Sequence, residues 1–165
     1  MTANVVLLLV EDEAPLRGLL ARYLERQGYA ILPCGDGASA LKTFRCAETP
    51  VDLAIVDLTL PDMSGEDVLA VLLAESETIK VIISSGRPYS PEALPEDVRP
   101  RVEALLKPYL PQDLLNAIAL MLGDRPGMSW GQRRAIGPAC LGVNAGRRAR
   151  HVLGVTLEPG QPSIS

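Results

Sequence analysis

The stretch AIVDLTLPDMSG, residues 54–65, decides the fold and raises the main question about this chain. An apolar run ends in a bare carboxylate, Asp57, and a turn follows at once with Pro61 and Gly65. A strand that is apolar along its whole length is typical of a sheet covered on both faces. Burying an unpaired charge at the end of such a strand costs several kcal/mol. We therefore expect Asp57 either to be held by a partner or to be kept there to react.

The composition fits one ordinary domain with an extension. The chain has 165 residues, of which 47 % are apolar and only 4 % are aromatic, so we expect an aliphatic core. No apolar run approaches the ~18 residues of a membrane span, and the N-terminus lacks the pattern of a signal peptide. Cys34, Cys46 and Cys140 occur in no CxxC spacing, which is typical of free thiols in a reducing compartment. These features predict a soluble, cytoplasmic protein without a membrane segment.

Charge divides the chain into two parts. Residues 1–122 hold 10 basic and 18 acidic side chains, whereas residues 123–165 hold six arginines and two acids. The acidic excess argues against nucleic-acid binding by the first part. The second part combines scattered glycines and prolines with paired arginines, and we predict a disordered or loosely packed tail there. A helix-turn-helix needs roughly 60 further residues with helical period, so no DNA-binding domain is expected.

Short apolar runs alternate with segments of helical period over the first 122 residues. The predicted strands are residues 5–10, 29–34, 51–56, 80–85 and 102–106. The predicted helices contain residues 16–24, 36–45, 65–75 and 110–122, with a short helix at 91–98 in a proline-punctuated segment. Strands that alternate with helices form a parallel sheet covered on both faces. We therefore predict an α/β fold, a flavodoxin-like, doubly wound five-stranded parallel sheet in the order 2-1-3-4-5.

The first predicted helix is expected to pack on the sheet through one apolar face. Five apolar residues share its helical spacing: Leu16, Leu19, Leu20, Tyr23 and Leu24. Gly28 follows and is suited to end the helix.

Charged and hydroxyl side chains occupy the carboxyl ends of four predicted strands. They are Glu11 and Asp12 after strand 1, Asp57 after strand 3, Ser84 and Ser85 in strand 4, and Lys107 after strand 5. In the predicted order these ends are neighbours, so the side chains gather in one shallow cleft. Clustered carboxylates need a cation, and oxygen-only ligands at an open site favour Mg²⁺. An aspartate beside Mg²⁺ can attack phosphorus, while an ammonium and a hydroxyl neutralise the phosphoryl oxygens.

Four short motifs carry these side chains at a specific joint spacing. They are VEDE (10–13), DLTLPDMSG (57–65), SSG (84–86) and KPY (107–109). Asp12 precedes Asp57 by 45 residues, and Asp57 precedes Ser85 by 28. Ser85 in turn precedes Lys107 by 22 residues. With this pattern, residues 4–122 resemble the receiver domain of bacterial two-component response regulators, of the stand-alone, single-domain type.

The resemblance implies a Mg²⁺ site. Asp12 and Asp57 would bind the ion directly, and the backbone carbonyl of Thr59 would be the third protein ligand. Glu11 would assist through water. From the residues alone, Asp12 could instead be the N-cap of the first helix, or serve as both cap and ligand.

The resemblance also assigns roles around the transferring phosphoryl group. Asp57 would be the phosphoacceptor, Ser85 would hydrogen-bond the phosphoryl group, and Lys107 would pair with the Asp57 carboxylate or its phosphate. Ser85 is preferred to Ser84 because it directly precedes a small residue, Gly86. The peptide bond before Pro108 would be cis, and Asp57 itself could alternatively be only a strand-end cap.

These roles imply a signalling switch in a two-component phosphorelay and no enzyme beyond self-catalysed phosphotransfer and dephosphorylation. The implied donor is a histidine kinase or a histidine phosphotransfer protein, and the downstream protein target is not implied. Two alternatives stay open: a receiver-fold interaction module that is never phosphorylated, and an aspartate-nucleophile phosphatase. The phosphatase is disfavoured because Thr59 stands where such enzymes place a second aspartate. Receiver domains commonly carry an aromatic residue where this chain has Ala104, so the usual output face is in doubt.

Overall fold

The computed structural model describes residues 5–123, in which strands and helices alternate along the chain. The strands are β1 (Val6–Val10), β2 (Ala30–Cys34), β3 (Leu53–Asp57), β4 (Lys80–Ser85) and β5 (Val102–Leu106). The helices are α1 (Ala14–Arg26), α2 (Gly37–Cys46), α3 (Gly65–Glu75) and α4 (Pro111–Met121). Apart from Gly123, the predicted tail lies outside the described residues.

The five strands form one parallel sheet in the order β2-β1-β3-β4-β5, which confirms the predicted flavodoxin-like topology. The centre of the sheet is apolar on both faces, because every residue of β1 and β3 is buried. The bounds of α3, β4 and β5 are those predicted, whereas β3 begins two residues later than predicted and includes Asp57. The carboxyl ends of β1, β3, β4 and β5 therefore meet at one edge.

Two apolar cores cover the two faces of the sheet. One contains alternate strand residues packed against α2 and α3, and its most buried members include Leu8, Val56, Val68, Leu72 and Ile83. The other contains the intervening strand residues packed against α1 and α4, and its most buried members include Leu7, Leu20, Leu24, Ile82, Leu114 and Ile118. Because side chains alternate along a strand, each strand contributes to both cores.

The prediction for the apolar face of α1 is wrong at one residue. Leu20 and Leu24 are buried, but Leu19 is 56 % exposed. The helix contacts the sheet through a narrow stripe, and Leu19 lies about 100° around the helix from Leu20. Gly28 ends the helical segment in a left-handed conformation with φ of 90°, as expected.

The connection from β4 to β5 contains no α-helix, so the prediction of a short helix at 91–98 is wrong. Two 3₁₀ turns, Pro91–Ala93 and Arg99–Arg101, stand in its place. The prolines of this segment lack the N–H groups that an α-helix needs. Arg99 holds the segment together by donating to the backbone carbonyls of Glu92 and Leu94, at 3.0 Å each.

The turn between β3 and α3 requires glycine at position 65. A Cβ at Gly65 would lie 2.2 Å from the carbonyl oxygen of Asp57 and 2.7 Å from Cα of Leu58. The Gly65 amide also donates to the Leu58 carbonyl at 3.0 Å. The start of α3 therefore packs directly on the end of β3, against backbone that cannot move aside.

We expect Gly65→Ala to lower the free energy of unfolding by about 2 kcal/mol or more, because the added methyl overlaps backbone atoms. The matched control is Gly18→Ala in α1, where nothing lies within 4 Å of the added Cβ. That change should stabilise the protein by about 0.5–1 kcal/mol, since alanine is the better helix former. Urea denaturation of both variants measures the difference, and equal midpoints would contradict the close-approach argument.

Candidate functional site

Lys107 joins two buried carboxylates at the carboxyl edge of the sheet. Its Nζ donates to Oδ2 of Asp57 at 2.5 Å and to Oε2 of Glu11 at 2.8 Å. Lys107 directly follows β5, and its backbone N–H donates to the carbonyl of Ser85 at 2.7 Å. The Lys107–Pro108 peptide bond is cis, as expected from the resemblance. Asp57 is therefore held by a partner, the ammonium of Lys107, which was one of the two expectations for this carboxylate.

The two carboxylates are far less accessible than the lysine that pairs with them. Glu11 is 3 % exposed and Asp57 is 6 % exposed, whereas the Lys107 side chain is 25 % exposed. Burial raises the pKa of Glu11, and the nearby Asp57 charge adds to this, against the opposing effect of Lys107. Burial alone would lower the pKa of Lys107, but its hydrogen bonds to Asp57 and Glu11 outweigh burial and raise it. The ammonium thus stays charged over the physiological range.

Asp12 completes a cluster of three carboxylates. One carboxylate oxygen from each of Glu11, Asp12 and Asp57 lies within 4.8 Å of the others, and Asp12 is the exposed member. The N-cap of α1 is Glu13, so the alternative that Asp12 caps this helix is wrong. Within residues 5–123, the Asp12 side chain makes no ion pair and stands open to solvent.

Arg17 fixes the backbone on which the first two carboxylates stand. Its Nη1 donates to the carbonyl of Glu11 at 2.5 Å and to the carbonyl of Asp12 at 3.2 Å. Sequence reasoning did not identify Arg17, although its place one turn into α1 after the acidic motif is the signal that could have found it.

The loop after β3 turns back towards Asp57. The Thr59 N–H donates to Oδ1 of Asp57 at 2.8 Å, so each oxygen of this carboxylate accepts one hydrogen bond from the protein. Thr59 also forms an isolated antiparallel bridge with Ser64. Asp57 is thus both a cap of its own strand end and a member of the ion pair, while the role of the Thr59 carbonyl stays a prediction.

Asp62 anchors the same loop to the start of α2. Its two carboxylate oxygens accept the backbone N–H groups of Gly37 and Ala38, at 2.8 Å each. These hydrogen bonds lower the pKa of Asp62. Sequence reasoning missed this contact, because a residue between β3 and α3 gives no local sign that it caps a different helix.

The two serines of β4 have different partners. Ser84 lies opposite Asp57 in the strand register, and its Oγ lies 3.0 Å from Oη of Tyr109. Ser85 Oγ accepts the backbone N–H of Arg87 at 3.1 Å. This contact uses Ser85 Oγ only as an acceptor, so its proton stays available for another hydrogen bond. Either hydroxyl can be the donor in the contact between Ser84 and Tyr109.

Tyr109 is a member of this edge that sequence reasoning did not assign. It lies in the KPY motif, two residues after Lys107, and burial raises the pKa of its hydroxyl while the Ser84 hydrogen bond opposes this. The aromatic position that is usual in strand 5 is occupied here by Ala104, which lies half-buried opposite Ile83 in β4. The aromatic side chain that contacts the hydroxyl of Ser84 therefore comes from the loop after β5, and not from strand β5 itself.

The assembled groups are suited to phosphoryl chemistry. Three carboxylates and one ammonium gather at this edge, with the nucleophile candidate Asp57 among them, and Ser85 ends the neighbouring strand β4. In the described part of the chain, no helix has the length and apolar character needed to cross a membrane.

Comparison with known proteins agrees with this geometry. The sequence profile of the response regulator receiver domain matches residues 7–119. The response regulator receiver protein CpdR of Brucella abortus is 32 % identical over 118 residues, which cover 70 % of this chain and 95 % of that protein. The sensory transduction protein RegX3 of Mycolicibacterium smegmatis is 33 % identical over 157 residues, 92 % of this chain, but the match spans only 65 % of RegX3.

A solved structure gives the same result in three dimensions. The response regulator protein TrrA of Thermotoga maritima, crystallised in complex with Mg²⁺-BeF, superposes with a TM-score of 0.59 and 26 % sequence identity. The superposition covers 71 % of this chain and 98 % of that structure. With the profile match over most of the described residues, the chain belongs to the family of response regulator receiver domains.

Proposed function

We propose that this receiver domain is a phosphoacceptor switch in which Asp57 accepts a phosphoryl group from a phosphohistidine. The donor would be a histidine kinase or a histidine phosphotransfer protein. The observation that carries the proposal is the position of Asp57: a buried carboxylate, paired with Lys107, within 4.8 Å of two further carboxylates. A purely structural strand cap needs neither the extra carboxylates nor the ammonium.

The residues present fit a magnesium ion. All the candidate ligands are oxygens, the edge is partly open, and the exposed Asp12 carboxylate makes no ion pair among residues 5–123. Asp12, Asp57 and the Thr59 carbonyl would hold the ion, and Glu11 would contribute through water. When bound, Mg²⁺ would neutralise charge on the phosphoryl oxygens. The Mg²⁺-BeF complex of TrrA supports the same kind of site here.

The proposed reaction needs little covalent work from the protein. A carboxylate oxygen of Asp57 attacks phosphorus, the P–N bond to the donor histidine breaks, and the nitrogen leaves with the bonding electrons. Lys107, which already donates to Asp57, would balance the charge on the acyl phosphate, and the Ser85 hydroxyl would donate a hydrogen bond to a phosphoryl oxygen. Attack of water on the same phosphorus returns the free aspartate, so the domain resets without a separate enzyme.

Phosphorylation would change the charge balance of the edge. The phosphoryl group adds up to about two negative charges and new acceptor oxygens where one ammonium already serves two carboxylates. We propose that Lys107 and Ser85 shift their hydrogen bonds towards these oxygens. The loops after β4 and β5 carry both residues and would transmit the change to a protein target.

We expect the intact protein to gain one phosphoryl group, about 80 Da, on incubation with acetyl phosphate and Mg²⁺. Asp57→Asn should show no gain, because the amide is not a nucleophile. Asp67→Asn, which changes an exposed acid on α3, is the matched control and should gain the same mass.

Mass spectrometry separates the possible outcomes of this experiment. No gain in a folded protein that binds Mg²⁺ would indicate that a protein donor is required. No gain together with no Mg²⁺ binding would contradict the proposal and favour an interaction module that keeps only the fold.

We expect Lys107→Met to lower the free energy of unfolding by about 3 kcal/mol at pH 7.5, since it leaves two buried carboxylates without a cation. Burial already raises the pKa of Glu11 in the folded protein, and the loss of the opposing Lys107 charge should raise it further. A carboxyl group whose pKa is higher in the folded than in the unfolded state destabilises the fold at pH values above its folded pKa. This cost disappears as the pH falls and the group becomes protonated in both states. The loss should therefore shrink between pH 7.5 and pH 5.

Urea midpoints of wild type and variant at the two pH values measure this effect. Lys42→Met, which changes an exposed lysine on α2, is the control and should alter stability by less than about 0.5 kcal/mol. A loss of the same size at both pH values would show that charge burial is not its cause.

A further inference from the structure

An apolar groove of about 720 Å³ lies between α3 and the β4–β5 connection. Each of the other three connections between consecutive strands contains an α-helix, but this one contains only the 3₁₀ turns Pro91–Ala93 and Arg99–Arg101. The groove is the space beside α3 that a regular crossover helix would help to fill.

The base of the groove is apolar, and the side that α3 contributes carries small side chains. Leu69, Leu73 and Val98 lie at its base and are buried. Ala70 and Ala74, one turn apart on α3, are exposed along its side. Small residues at this spacing allow another backbone to approach α3 closely.

The rim of the groove is acidic. Glu66, Glu77 and Asp97 line it and are exposed, and none of the three makes an ion pair within residues 5–123. Arg101 also lines the groove, but its guanidinium donates to the carbonyl of Ser76 at 2.9 Å. Three acids and one base thus line the groove, so its rim carries a net negative charge, and the hydrogen bond to Ser76 holds the one cation in place.

We propose that this groove is a docking site for an amphipathic α-helix of a partner protein, with an apolar stripe flanked by lysine or arginine. Glu66 lies in the first turn of α3, and Glu77 follows shortly after its end. The eleven residues of α3, at 1.5 Å per residue, span roughly 16 Å, or about three helical turns. The partner helix would place its apolar residues over Leu69 and Leu73 and its cations against the acidic rim.

A second copy of this chain is a poor occupant by charge. Residues 1–122 carry 18 acids against 10 bases, so a second domain would bring like charge to an acidic rim. The proposal concerns a surface on the α3 side of the sheet and does not depend on phosphorylation of Asp57.

NMR of the full-length, ¹⁵N-labelled protein tests the proposal with a synthetic probe. The probe is a 14-residue peptide of Leu, Ala and Lys, with Leu at positions i, i+3, i+4 and i+7. A second peptide with Glu in place of every Lys is its matched control. We expect the Lys peptide to shift the amides of residues 66–77 and 89–101, and to bind at least about tenfold more tightly than the Glu peptide.

Two variants locate the binding. Ala74→Arg puts a long cation into the groove from an exposed helix position and should weaken binding of the Lys peptide about tenfold. Leu120→Arg adds the same side chain on α4, across the sheet, where Leu120 is 71 % exposed, and should leave binding unchanged. Equal urea midpoints for the two variants show that both are folded.

Several results would overturn the proposal. They are the absence of amide shifts at the groove, equal binding of the two peptides, and insensitivity to Ala74→Arg. Groove amides that move on dilution would assign the surface to a second copy of the chain. Groove amides that move in the full-length variant Arg147→Glu/Arg148→Glu/Arg150→Glu, without peptide, would assign it to the chain's own C-terminal segment.

Discussion

The ion pair of Lys107 with Glu11 and Asp57 is the interaction on which the carboxyl edge of the sheet depends. Two carboxylates that are almost fully buried repel each other and resist loss of water, so they need a cation that the fold brings to them. That cation comes from the far end of the domain, 96 residues after Glu11 and 50 after Asp57. The parallel order β2-β1-β3-β4-β5 brings the carboxyl ends of β1, β3 and β5 to one edge, where one ammonium reaches both carboxylates. The ion pair of the site therefore depends directly on the strand order of the sheet.

The loops around this pair are held by backbone contacts that leave little freedom. Arg17 fixes the carbonyls before α1, Asp62 ties the loop after β3 to α2, and Gly65 sets α3 directly on the end of β3. Glu66 directly follows Gly65, which packs on the end of β3, and it also lines one end of the α3 groove. The candidate site and the candidate docking surface thus share one end of α3.

The connection between β4 and β5 separates this domain from a regular doubly wound fold. Its prolines prevent an α-helix, and its 3₁₀ turns leave the apolar side of α3 partly uncovered. Strand 5 also carries Ala104 where an aromatic ring is usual, while Tyr109 contacts Ser84 from the following loop. Both differences fall on the side of the domain where β4 and β5 end, so the way a signal leaves this receiver is expected to differ from the common pattern.

The sequence by itself determined the alternation of elements, the strand order and the set of polar residues at the strand ends. These follow from local patterns: continuous apolar runs for buried strands, a 3.6-residue period for helices, and charges where a strand must leave the core. It did not determine which faces are buried at single positions, as Leu19 shows, or that the prolines reduce a helix to two 3₁₀ turns. The pairing of Lys107 with Asp57 was expected from the resemblance, but only the tertiary structure decided that the same ammonium also binds Glu11, that Asp62 caps α2 and that Ser84 pairs with Tyr109. Each of these contacts joins residues 24 to 96 positions apart, and a distance of that length is set by packing and not by neighbours in the chain.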